Sequence, residues 1–143
     1  MNVSMKSKGL RFSAWSFAVV LGFTSAAALA GKMDVKLSGD QEVPPVKSAG
    51  SGAGTITIND DGTVSGSVTA TGFDATAAHI HQAAAGKNGP VIVPFTKEGN
   101  KFGPAAGAKL TPDQMKAYKA GELYVNMHSA ANPGGEVRAQ LKP

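Results

Sequence analysis

Strict alternation of apolar and hydroxylated side chains constrains this chain more than any other feature. In GAGTITINDDGTVSGSVTATGF (Gly52–Phe73), Ile56 and Ile58 alternate with Thr55 and Thr57. Successive strand side chains point to opposite faces, so the two isoleucines share one face. NDDG then turns the chain, because Asn and Asp bond their own backbone locally and Gly62 tolerates positive φ. Val64, Gly66, Val68 and Ala70 resume the alternation against Ser65, Ser67, Thr69 and Thr71. A period of two predicts a β-hairpin and disfavours a helix.

Glycine, 18 residues in all, separates further short runs. Strands are expected around Asp34–Ser38, Ala77–Gln82, Val91–Phe95, Glu122–Ser129 and Glu136–Leu141. TPDQMKAYKAG predicts the one helix. Thr111 is its N-cap, Pro112 opens it, Gln114 completes a capping box and Gly121 ends it. Met115 and Tyr118 would pin it to the sheet edge. Pro44-Pro45 cannot donate to a ladder, and a crossing between sheets is expected there. About seven short strands and one helix predict an all-β fold, an antiparallel Greek-key β-sandwich. Its core is expected to contain Ile56, Ile58, Val64, Val68, Ile80, Leu123, Val125 and Val137.

Residues 1–30 follow a different rule. Lys6, Lys8 and Arg11 precede the apolar stretch FSAWSFAVVLGF, and the small-residue run TSAAALA follows it. This is the order of a cleaved secretory signal, with Ala28-Leu29-Ala30 as the cleavage box. The apolar stretch falls short of the ~20 residues needed to span a bilayer. A single domain at residues 31–143, periplasmic or secreted and not held in the membrane, is therefore expected. Those three residues are part of the 14 basic ones, so the remainder nearly balances the 10 acidic residues. Such a chain has no electrostatic footprint for nucleic acid. With no cysteine, no disulfide supports the fold.

The chain has three histidines. In AAHIHQ, Ile80 belongs to the core, so His79 and His81 point together to the outer face. In LYVNMHS, Leu123, Val125 and Met127 face inward, leaving Tyr124, Asn126 and His128 outside. In EVRAQL, Val137, Ala139 and Leu141 face inward, leaving Glu136, Arg138 and Gln140 outside. Imidazoles at i and i+2 can reach one ion, and a third from another strand gives three nitrogens with an open position. That set suits copper or zinc. The SAANPGG connection predicts a terminal hairpin that places either Glu136 or Arg138 opposite His128. A carboxylate there would orient the imidazole, whereas an arginine would attract an anion. Asn126 shares that face. The bland alternative is that the histidines only solvate strands or bond loop carbonyls.

LSGDQEVPPV, AHIHQAAAGKNGPVIVPF, LTPDQ and LYVNMHSAANPGGEVRAQL appear in the order seen in CHRD domains. From about Lys36 to Leu141 the chain resembles that family, named after chordin. The resemblance implies an immunoglobulin-like or superoxide-dismutase-like β-sandwich and brings no reaction with it. Met127 departs from the β-branched residue usual there, and places a thioether beside His128, of interest for copper(I). There is a looser similarity to copper/zinc superoxide dismutases. It would match His79 and His81 to a copper-binding pair and Arg138 to an anion-guiding arginine. The disulfide cysteines and the histidines of a bridged zinc site are missing, so dismutase activity is not implied.

The expected function is metal binding, copper before zinc, by His79, His81 and His128. Glu136, Arg138 and Asn126 would support the ligands or bind an anion. The alternative is a metal-free module of the cell envelope that binds another exported protein or serves a structural role. An enzyme is the weaker reading: no Ser/His/Asp set, cysteine nucleophile or pair of acids is marked.

Overall fold

The computed structural model describes residues 31–143. The expected signal segment and its cleavage box lie outside the described residues. Eight strands follow in chain order. They are β1 (Lys32–Leu37), β2 (Ser51–Ile58), β3 (Val64–Thr71), β4 (Ala75–Gln82), β5 (Val91–Glu98), β6 (Lys101–Pro104), β7 (Leu123–Ser129) and β8 (Val137–Leu141). Helix α1 (Pro112–Lys119) lies between β6 and β7. Among the described residues no helix is long and apolar enough to cross a membrane.

All neighbouring strands are antiparallel, in the order β1-β2-β3-β6-β5-β4-β7-β8. Strand β5 joins the two halves of this sheet. Its first residues pair with β4 (Ile80 opposite Val93) and its last ones with β6 (Phe95 opposite Pro104). At the far end Ser38, just after β1, exchanges backbone hydrogen bonds with Arg138 of β8, at 3.1 and 3.0 Å. The eight strands therefore form one nearly barrel-shaped sheet. β1 and β2 are direct neighbours, so the Pro44-Pro45 segment connects adjacent strands and the crossing expected there does not occur.

All eight expected core residues are buried. The hairpin register sets Ile58 opposite Val64 and Gly54 opposite Val68, with Gly62 at φ +87° in the turn. The capping box is present: Gln114 N–H donates to Thr111 Oγ1 (3.2 Å), and Thr111 N–H to Gln114 Oε1 (2.9 Å). Ala117 and Tyr118 bury the inner side of α1, while Met115 is only partly covered.

Candidate metal centre

The β4–β7 ladder pairs His79 with Asn126, His81 with Tyr124 and Ala77 with His128. Next to it, β7–β8 pairs Asn126 with Arg138 and Met127 with Val137. With a side-chain period of two, these registers place all three histidines, Tyr124, Asn126, Glu136 and Arg138 on the outer face. The assignment of faces agrees with the sequence pattern.

Their exposure does not. His81 retains 8% of its surface, His128 9% and Arg138 1%, while His79 is half-buried. Every residue of β7 is buried, which requires cover on both sides. The outer cover comes from loops: His81 is bonded by Gly89, His128 by Pro133, and Glu136 by Ser48. Alternation determines the side of a sheet and is silent about what lies over it.

One nitrogen from each ring lies within 4.8 Å of the others. His79 Nδ1 is 3.0 Å from His128 Nε2. Nitrogens around a single ion at about 2 Å lie at most ~4 Å apart. The widest of these spacings exceeds that limit, so the rings would have to draw closer to share one ion.

The protons on two rings follow from their partners. His81 Nδ1 is 2.9 Å from the Gly89 carbonyl, and His128 Nδ1 is 2.9 Å from the Pro133 carbonyl. A carbonyl only accepts, so both Nδ1 atoms donate and a neutral ring keeps its lone pair on Nε2. His128 Nε2 faces His79, whereas His81 Nε2 is buried with no hydrogen-bond partner. Burial, then the neighbouring charges of His128 and His81, pushes the His79 pKa down to about 4. Burial also lowers that of His81, against the Gly89 hydrogen bond. His79 and His81 therefore hold neutral rings at neutral pH, the form a metal requires.

Glu136, the residue before Val137, lies toward His128 along the hairpin, and its N–H donates to Met127 O (2.8 Å). Its carboxylate instead accepts from Ser129 Oγ and Ser48 Oγ, each at 2.6 Å, and from Asn132 Nδ2. These bonds hold its pKa below the usual range. They brace the turn that carries Pro133, so Pro133, and not the carboxylate, orients His128.

Arg138 gives Nη1 to Asn88 Oδ1 (3.2 Å) and Nη2 to Lys87 O (2.8 Å). Its guanidinium lies 3.4 Å over the ring of Tyr124. Asn126, opposite His79, has a buried Oδ1 with no partner, as does Glu42 at Oε1. Met127 is fully buried on the inner face, so its thioether turns away from the site.

Sequence reasoning missed Gly89, Pro133, Tyr124 and Glu42. Only Tyr124 carried a signal, since it alternates onto the histidine face. A family model described as the CHRD domain matches residues 33–141. No curated protein and no solved structure matches the chain.

Proposed function

The chain belongs to the CHRD domain family, and from that premise we propose that it is an exported β-domain holding one metal ion on His79, His81 and His128. The observation that carries this reading is the convergence of the three rings, one nitrogen of each within 4.8 Å of the others and His79 Nδ1 3.0 Å from His128 Nε2. A buried polar atom without a partner is costly, and an ion at the convergence of three nitrogens would remove that cost.

Three imidazoles and an open position suit copper(II) or zinc. Copper is preferred, because a given nitrogen site holds it more tightly than zinc. The inward turn of Met127 removes the thioether that would favour copper(I). Carbonyls of Gly89 and Pro133 fix the ligand tautomers, as partners of metal-bound histidines do. Asn126, Glu136 and Arg138 complete the surroundings. The order β6-β5-β4-β7 matches a Greek key, which supports the immunoglobulin-like or dismutase-like class.

Export rests on the basic, apolar and small-residue order of residues 1–30, with cleavage near Gly31 and a periplasmic or secreted product. N-terminal sequencing of the secreted form tests this, and an intact Met1 chain in the membrane would refute it. Calorimetric titration of the metal-free protein with copper(II) and with zinc tests the site. About one ion per chain is expected, from three ligands meeting at one point. A saturable site for neither ion would leave the metal-free binding module as the better account.

A further inference from the structure

We propose that Tyr124, backed by Arg138, is a positioning residue that holds the proton of His81 on Nδ1 and so leaves the lone pair on Nε2. The rings of His81 and Tyr124 are 4.8 Å apart and only 4° from parallel. The Arg138 guanidinium covers the other face of Tyr124 at 3.4 Å. The three side chains form a column across β4, β7 and β8.

The column is tied at its edge by one residue. Gly89 N–H donates to Tyr124 Oη (3.2 Å), and Gly89 C=O accepts from His81 Nδ1 (2.9 Å). Arg138 holds the two residues before it, through Lys87 O and Asn88 Oδ1. Stacking therefore fixes the plane of the His81 ring, and the anchored carbonyl fixes its proton on Nδ1. Without these restraints an imidazole samples both tautomers, and the Nε2–H form has no lone pair to offer the centre. His128 is held by Pro133 on a different turn, which makes it an internal reference.

The inference deepens the metal reading and rests on it only for the affinity measurement. Side-chain nitrogen NMR of the metal-free protein is the first readout. Wild type should show His81 as a single Nδ1–H tautomer. Tyr124→Leu and Arg138→Lys should each bring in the second tautomer at His81 while His128 stays unchanged. Tyr124→Phe keeps the stack but loses the bond to Gly89, and should show a smaller admixture. Copper affinity should fall by about ten- to a hundredfold in Tyr124→Leu, and less in Tyr124→Phe.

If Tyr124→Leu does not fold, Arg138→Lys and Tyr124→Phe decide the matter. A single unchanged His81 tautomer in every folded variant would overturn the proposal. So would equal changes at His81 and His128, which mark a general loss of structure. A wild type that shows the Nδ1–H tautomer and binds no metal would keep the positioning role and remove the metal reading.

Discussion

His79 Nδ1 lies 3.0 Å from His128 Nε2, although 49 residues separate the two rings in the chain. With His128 Nδ1 committed to Pro133, the neutral ring can only accept at Nε2, so His79 donates. In the metal-free protein these two ligands therefore satisfy each other. An ion bound as proposed would have to replace that hydrogen bond and take the lone pairs of both rings.

Replacing any one of His79, His81 or His128 by alanine should weaken copper binding strongly, since three ligands leave none to spare. Lys87→Ala should change little, because only the backbone carbonyl of Lys87 is used. Copper should raise the melting temperature of wild type and not of the triple alanine variant, because only the native state binds it. Equal stabilisation of both proteins would place the ion elsewhere.

Acid should weaken the metal-free fold through His79. Its pKa is about 4 in the folded protein, against about 6.5 for a free imidazole. Between those values the unfolded chain binds the proton and the folded one does not, so stability falls as pH falls from ~6.5 toward ~4. Below pH ~4 this residue adds no further loss. In thermal melts across that range, wild type should lose stability relative to His79→Gln as the pH falls. Parallel pH profiles would contradict the assignment.

Gly89→Ala should disturb the loop that anchors His81. An added Cβ would lie 1.8 Å from the Gln82 carbonyl oxygen, which is rigid backbone. The loop must move, and His81 then loses the carbonyl that holds Nδ1. Reduced copper affinity together with a lower melting temperature is expected. Wild-type values for both would mean that the loop gives way without cost.

Leu123→Ala should destabilise the fold by about 2–5 kcal/mol, the usual range for a buried leucine truncated in a core. Val125→Ala removes less volume and should cost less. Both residues are fully buried, and urea titration should place them in that order. Unchanged midpoints for both would refute their inward assignment.

The parts of the fold visible in the sequence were those governed by a local rule. The period of two placed Ile56, Ile58, Val64 and Val68 in the core and set the three histidines on one face. Thr111 and Gln114 marked the start of the helix for an equally local reason. Strand β6 escaped notice because it has four residues and one core side chain, Phe102. Whether Glu136 or Arg138 would sit beside His128 depended on hairpin register, which the sequence left open. The cover over the site was illegible for another reason: Gly89 and Pro133 act through backbone carbonyls, which every residue type possesses. The continuity of the sheet through β5 likewise depends on a mid-strand change of partners that no residue pattern announces.

The seam between Ser38 and Arg138 has a consequence for the order of folding. Its partners lie about a hundred residues apart, and contacts of such separation form late because the intervening chain must first be organised. Arg138 also belongs to the strand that closes the sheet and to the column over His81. Docking of the last strand thus completes the sheet and the ligand cradle in one event. A chain lacking its final strand would carry all three histidines but lose the guanidinium that packs on Tyr124 and holds Lys87 and Asn88. If the three rings hold an ion as proposed, the site would in this sense act as a checkpoint, open only in a molecule that has finished folding.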